Sequence, residues 1–388
     1  MKLKLSIIGS TGSIGKSALS IVDKKKNNIK IDILSANRNF KLIVKQIRKY
    51  NPKYFIITDL NIFKKVQNYL KSKKTKIIFS FKNLKKKDKS DISILAIPGI
   101  AGLKPTLSMI KVSKKILIAN KESIICGWAL IKENSIKHKT KITPIDSEHF
   151  SIFQLLKEHN LNEIKKIYIT ASGGPFLNFQ KKQLKKVKPK DALKHPKWKM
   201  GKKISIDSAT LMNKILEIVE AEKLFNIPNK KLDIIIHPNS LVHAIIELKN
   251  GLSKFLYHQT SMIIPLANGI FEGNLDIDDF YKNSNKKNEM AEDLIFKTVN
   301  PNIFPIIKIK NRANEYSSTS IIINAANEIL VDQFLKKKIP FMSIYKLILS
   351  VLRDRNYKKY AIKEPKNISQ VFQIDQWSRD TAYKKIRK

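Results

Sequence analysis

Leu3-Lys-Leu-Ser-Ile-Ile8, running without a break into Gly9-Ser-Thr-Gly12-Ser-Ile-Gly15, is the stretch whose reading decides the fold. A short apolar run enters a glycine turn and leaves through a helical stretch carrying Leu19, Ile21 and Val22. Strand, glycine turn, helix is the order a dinucleotide-binding unit requires, because glycines let the backbone approach a pyrophosphate at a helix start. The spacing is G-x-x-G-x-x-G. A second apolar run, Ile29 to Leu34, ends at Ser35-Ala-Asn37-Arg38-Asn39, where no acid waits for a ribose 2′-hydroxyl and Arg38 suits a 2′-phosphate. NADP is therefore expected over NAD. The competing reading of Arg38 is one more solvated cation in a basic chain.

Working outward, apolar runs at Tyr54 to Ile57, Ile77 to Phe79, Ile92 to Ile97, Ile116 to Ala119 and Ile142 to Ile145 alternate with helical stretches. That pattern predicts an α/β fold whose N-terminal part, residues 1–145, is a Rossmann-like doubly wound parallel sheet. Residues 146–273 read as a central mixed α/β catalytic domain, with strands at Ile167 to Thr170, Ile234 to His237, Val242 to Leu248 and Lys254 to His258. A polar stretch within 274–300 reads as a linker, and 301–388 as a small C-terminal helical domain with helices at Thr319 to Leu335 and Met342 to Asp354.

Two further stretches carry chemistry. If Ile142 to Ile145 is a strand, its end delivers Asp146 and Glu148 to one side, since side chains two apart in extended chain face alike. In His195-Pro-Lys-Trp198-Lys-Met-Gly201-Lys-Lys-Ile-Ser-Ile-Asp207-Ser208-Ala-Thr-Leu-Met-Asn213-Lys214-Ile-Leu-Glu217, Asp207 or Ser208 is read as a helix N-cap. Asn213 and Glu217 then share a helical face beside Lys214, and the helix start with Ser208, Asn213 and Lys214 offers donors to an anion. The alternative is an ordinary capped amphipathic helix. Asp146, Glu148 and Glu217 together make an oxygen site suited to Mg²⁺ or Mn²⁺; the single Cys126 and scattered histidines give no zinc spacing.

At this point the chain resembles the 1-deoxy-D-xylulose 5-phosphate reductoisomerase family, nearly end to end. The resemblance rests on Gly9 to Gly15, Gly99-Ile-Ala-Gly-Leu103 with Pro105 and Thr106, Ala119-Asn-Lys-Glu-Ser123, Pro144 to His149, Ser172-Gly-Gly-Pro-Phe176, His195 to Glu217, His237-Pro-Asn-Ser240 with His243, and Asn324-Ala-Ala-Asn-Glu328. It implies cofactor contacts at Thr11, Gly12, Ser13, Ile14, Asn37, Arg38, Asn39, Asn120, Glu122 and Gly201, and metal ligation by Asp146, Glu148 and Glu217. Substrate contacts would be Lys121, Ser147, Glu148, Ser172, His195, Trp198, Ser208, Asn213, Lys214 and Glu217, with Lys121, Asp146, Glu148, His195 and Glu217 in catalytic roles. The activity implied is NADPH- and metal-dependent rearrangement and reduction of a ketose phosphate by a homodimer, under a lid near residues 192–202. One departure stands out: where the family carries Gly-x-Pro-Asp-Met-Arg, this chain has His258-Gln-Thr-Ser261-Met-Ile263. A sugar-phosphate or homoserine-type NADP dehydrogenase without rearrangement is the alternative enzyme reading.

With 388 residues of which 43% are hydrophobic, the chain is long enough for two or three domains with real cores. No signal-like or membrane-spanning run is evident and a lone cysteine excludes an internal disulfide, so a cytoplasmic protein without a membrane partner is expected. The net charge of +43 raises nucleic-acid binding as a rival function. Yet the lysines are spread, as in Lys24 to Lys26, Lys181-Lys182 and Lys336 to Lys338, with no recognition signature. Together with abundant isoleucine and asparagine they fit an A+T-rich coding bias on solvated faces, and no nucleic-acid partner is expected.

Overall fold

β1 (Leu3–Ile8) is buried over its last four residues on both faces, as an inner strand of a parallel sheet must be. In the computed structural model, which describes residues 2–70, 74–85, 89–198, 200–280 and 293–387, β1 pairs in parallel with β2 (Ile29–Ala36) and β5 (Ser90–Leu95). β3 (Tyr54–Ile57), β4 (Lys76–Ile78), β6 (Ser113–Ile118) and β7 (Lys141–Pro144) complete seven parallel strands in the order β4-β3-β2-β1-β5-β6-β7. The order reverses between β1 and β5, the switch point at which doubly wound sheets take their ligands. A small cleft lined by Ile8, Leu95, Ile97, Gly102, Thr106 and Asn120 lies at these strand ends.

The glycine turn is shaped by close approach. Gly9 has φ +93° and a Cβ there would sit 2.8 Å from the Ala96 carbonyl oxygen; a Cβ on Gly15 would sit 2.4 Å from the Gly9 oxygen. The turn is pinned from outside, with the Gly9 amide donating to Ser35 Oγ at 3.0 Å and Ser10 Oγ donating to Gln46 Oε1 at 2.6 Å.

The chain divides into two compact units: Met1–Ser123, Ala129–Phe150 and Ser261–Lys287 form one; Ile124–Trp128, Ser151–Thr260 and Asn288–Lys388 form the other. The first unit reclaims the helix Ile263–Phe271, whose Leu266, Ala267 and Ile270 join the sheet's core along with Phe280. The boundaries expected from the sequence put these residues in the central domain, 146–273, and the linker, 274–300. An apolar helix does not declare which sheet it packs on. Ser261, in the stretch that departs from the family pattern, accepts from the Ile263 amide at this helix's start at 3.3 Å. Of the expected linker, residues 281–292 lie outside the described residues, while Lys297 bridges Ile236 in the second unit.

The second unit holds a four-stranded sheet, β11-β10-β8-β9, from β8 (Ile164–Ala171), β9 (Leu232–Ile236), β10 (Val242–Leu248) and β11 (Ser253–Tyr257). Only β8 and β9 pair in parallel. Its C-terminal part is helical, with Thr319–Leu335 buried along most of its length beside Ser343–Leu352 and Ile368–Arg387.

Two local expectations are corrected. Residues Ser147–Leu155 form a helix directly after β7, so Asp146 and Glu148 do not share a side through strand alternation. Asp207 and Ser208 do not cap a helix: both lie inside the helix Lys202–Thr210, which Gly201 precedes, and the chain breaks at Leu211, φ +63°, before Met212–Phe225 begins. Leu211 stands at the cap position with no side-chain capping bond, and Thr210 Oγ1 accepts from the Met212 amide at 3.2 Å.

Gly15→Ala tests the glycine turn. Because the added methyl meets backbone that cannot swing aside, it should cost about 1–3 kcal/mol in urea denaturation; unchanged stability would show that the turn tolerates a side chain.

Candidate active site

In the first unit, β6 ends at Ile118 and Asn120 caps the helix Lys121–His138 by accepting from the Ser123 amide at 2.5 Å. Asn120 Nδ2 donates to the carbonyl oxygens of Ile97 and, at 3.0 Å, of Gly99. Its side chain thus ties the loop after β5 to the helix start, which sets Lys121 and Glu122 there. Lys121 is buried and its Nζ lies 3.3 Å from Asp146 Oδ2. The fully buried His149 places Nδ1 3.2 Å from Asp146 Oδ1. Ser147 Oγ donates to Glu148 Oε2 in a short hydrogen bond. Ligand oxygens of Asp146 and Glu148 lie within 4.8 Å of each other. Two carboxylates this close repel unless a cation lies between or beside them, and all-oxygen donors fit a hard cation such as Mg²⁺ or Mn²⁺.

The same unit presents the dinucleotide features. Gly12 precedes the helix Ser13–Lys24 without a side-chain cap, which leaves the first amides, at Ser13 and Ile14, to an anion. Thr11, half-buried, sits in the same turn. At the end of β2, Asn37 Nδ2 donates to Thr58 Oγ1 at 2.8 Å and Asn39 caps the helix Phe40–Tyr50 by accepting from Leu42. Arg38 is largely exposed, with Nε 3.3 Å from Asp59 Oδ2. The Ile62 amide, then Arg38, holds the Asp59 carboxyl below its usual range. Arg38 pairs through Nε alone, so its two terminal nitrogens remain for a phosphate. The Gly9–Gly15 turn, closed against its own backbone and leading to an uncapped helix start, fits a pyrophosphate.

In the second unit, the turn after β8 carries Ser172, whose Oγ accepts from the Gly174 amide at 3.1 Å and lies 3.0 Å from His195 Nε2. His195 Nδ1 accepts from the amides of Lys197 and, at 2.9 Å, Trp198. An Nδ1 that accepts leaves the proton on Nε2, so neutral His195 donates to Ser172. Burial, then the nearby Lys214 charge, lowers the His195 pKa to about 4. Trp198 sets its ring edge-on to His243, centroids 6.4 Å apart. Glu217, almost wholly buried, receives Asn213 Nδ2 on Oε1 in a short hydrogen bond and Lys214 Nζ on Oε2 at 2.6 Å. Ser208 lies one residue beyond the buried Asp207, and a Cβ on Gly174 would sit 3.1 Å from the Ser208 carbonyl oxygen. Gly201 stands open, with nothing within 4 Å of a Cβ. Of the expected lid, Lys199 lies outside the described residues.

Each unit therefore gathers its own share of the expected residues. Gln46, Asp59 and His149 help to hold them without any signal in a local motif, and Asp207, expected as a cap, does so through its buried carboxylate. A polar residue set between apolar ones, such as Gln46 in Ile43-Val-Lys-Gln-Ile47, is the signal for the buried member Gln46.

Three family models match: 1-deoxy-D-xylulose 5-phosphate reductoisomerase over residues 5–127, its C-terminal domain over 142–225, and the DXP reductoisomerase C-terminal domain over 259–381. A relative from Pelagibacter ubique (strain HTCC1062) named 1-deoxy-D-xylulose 5-phosphate reductoisomerase is 46% identical over 379 residues, 96% of this chain and 97% of its own length. The Zymomonas mobilis reductoisomerase solved with NADPH matches with TM-score 0.86 and 30% identity over the whole of both chains. A DOX-P reductoisomerase solved with NADPH, fosmidomycin and magnesium matches with TM-score 0.88 and 30% identity, covering 99% of this chain and 98% of that one.

A pH series tests the His195 environment. The unfolded chain takes up a proton through about pH 6.5 and the folded chain only near 4, so stability is expected to fall as pH drops across that window. NMR should show a neutral Nε2–H ring at pH 6; a titration midpoint near 6.5 would contradict the assignment.

Proposed function

The chain belongs to the 1-deoxy-D-xylulose 5-phosphate reductoisomerase family, and from that premise we propose that it converts 1-deoxy-D-xylulose 5-phosphate to 2-C-methyl-D-erythritol 4-phosphate for non-mevalonate isoprenoid biosynthesis. It does so with NADPH and a divalent cation, Mg²⁺ or Mn²⁺. The observation that carries the reading is the Asp146–Glu148 pair beside Lys121, at the end of the last strand of a dinucleotide-binding sheet. A dehydrogenase without rearrangement transfers hydride to a carbonyl and needs no such pair, so that alternative is not favoured.

Asp146 and Glu148 of the first unit and Glu217 of the second are the proposed metal ligands. When bound, the cation supplies Lewis acidity toward substrate oxygens and NADPH supplies hydride. The Gly9–Gly15 turn, through Thr11, Gly12, Ser13 and Ile14, takes the pyrophosphate; Asn37, Arg38 and Asn39 take the adenosine end; Asn120, Glu122 and Gly201 are further cofactor contacts. Lys121 brings a positive charge and a transferable proton on Nζ to the oxygens that develop charge as the carbon skeleton rearranges. Ser147 contacts substrate beside Glu148.

Ser172, Ser208, Asn213 and Lys214 grip the phosphate, supplying binding energy remote from the reacting carbons. Ser172 already accepts from His195 and from Gly174, so the hydrogen it has left to donate suits an anionic oxygen. His195 stays neutral at physiological pH and orients that hydroxyl. Trp198, held by His195 and His243, belongs to the lid over substrate near residues 192–202 that excludes water. Pairing as a homodimer in the cytoplasm completes the proposal. The edge strand β11, with Phe255 exposed and Leu252 exposed just before it, supports the first, since exposed apolar edges are normally covered; a lone, buried Cys126 supports the second. Among the described residues no helix is long and apolar enough to cross a membrane.

NADPH oxidation with 1-deoxy-D-xylulose 5-phosphate is the test. Turnover should require Mg²⁺ or Mn²⁺ and cease with chelator; no turnover with either metal would sink the reading. In the same assay Arg38→Ala should erase the preference for NADPH over NADH, chiefly through the KM for NADPH, by roughly tenfold or more for a charge-assisted contact. An unchanged ratio of specificity constants would show that the 2′-phosphate lies elsewhere.

A further inference from the structure

The sequence stretch Asn324-Ala-Ala-Asn-Glu328 takes no part in the chemistry above, yet it is buried polar surface in the middle of the helix Thr319–Leu335. Asn327, with no exposed surface, donates through Nδ2 to Asp207 Oδ1 at 2.7 Å. Asp207 Oδ2 lies 3.1 Å from Lys203 Nζ one turn back. The next residue along from Asn327 is Glu328, which receives Arg379, itself 2.6 Å from Asp375 on the helix Ile368–Arg387.

The consequence is geometric. The helix Lys202–Thr210 is a short element, open at Gly201 and broken at Leu211. A helix of that length is held by its side chains, and rotation about its axis would swing Ser208 away. Asp207 is the adjacent residue; Lys203 turns with the helix, so it is the bond from Asn327, on another helix, that fixes the direction in which Ser208 projects. We propose that Asn327 is a positioning residue for the phosphate-binding group, acting through Asp207 to aim Ser208. The C-terminal helices thereby take part in substrate recognition without touching substrate. This role rests on the proposed assignment of Ser208 to the phosphate.

The test is a double-mutant cycle read by titration of a phosphonate inhibitor and by separate KM values. Asn327→Ala is expected to weaken phosphonate binding and raise the KM for the sugar phosphate by about tenfold, as loss of a hydrogen bond to a charged group does, with the KM for NADPH unchanged. Ser208→Ala, damaging in the wild-type chain, should add little in the Asn327→Ala background. The exchanged pair, Asp207→Asn with Asn327→Asp, reverses donor and acceptor and should restore both affinity and the full effect of Ser208→Ala. It also covers the case in which Asn327→Ala does not fold. A Ser208→Ala effect of equal size in both backgrounds, or an exchanged pair that folds without recovering affinity, would overturn the positioning role alone. An inert Ser208→Ala in the wild-type chain would instead overturn the phosphate assignment, and this role with it.

Discussion

A carboxylate taken out of water must be answered by donors, and among the buried carboxylates of the second unit Asp207 and Glu217, each 1% exposed, lie beside the residues proposed to meet substrate. The penalty for leaving either unanswered is several kcal/mol per ion. Lys203 and Asn327 answer the first; Asn213 and Lys214 answer the second. Lys203, Asn213 and Lys214 each sit on the same helix as the carboxylate they meet and fix side chains along it, while Asn327 ties the helix before Leu211 to another helix. Residues expected to meet substrate are thus held in place by electrostatic necessity before any ligand arrives, which is how a site avoids reorganising at the moment of reaction.

The first unit solves a different problem. Lys121 is a buried ammonium at the first position of a helix, where the dipole disfavours a cation, and Asp146 at 3.3 Å offsets that cost. His149 meets the other oxygen of the same carboxylate. The Asp146 carboxylate is therefore shared among several claims, and the seating of Lys121 depends on it.

The parts of this architecture that are legible in the sequence are those governed by neighbours along the chain. The strand, glycine turn and helix at residues 3–24 can be read because the demand for glycine at Gly15 arises within the turn itself, from the Gly9 oxygen, although that at Gly9 comes from Ala96 just past β5. The seven strands are legible as runs because parallel strands are buried on both faces. What escapes is set by distant partners. No local rule places a left-handed break at Leu211, since leucine is among the residues least expected at positive φ. The expected cap at Asp207 or Ser208 fails for that reason: Asp207 answers Asn327, 120 positions away in sequence, not its own backbone. Asp59 likewise meets Arg38 from the end of a different strand.

Leu211 also bears on how this segment could vary over evolutionary time. Its left-handed backbone costs a non-glycine residue about 1–2 kcal/mol, while its side chain, 2% exposed, contributes about 1.5–3 kcal/mol by burial. Glycine or asparagine would relieve the first and forfeit the second; a β-branched residue would keep the second and worsen the first. Position 211 therefore sits between two opposed penalties, and random substitution offers it few neighbours of equal fitness.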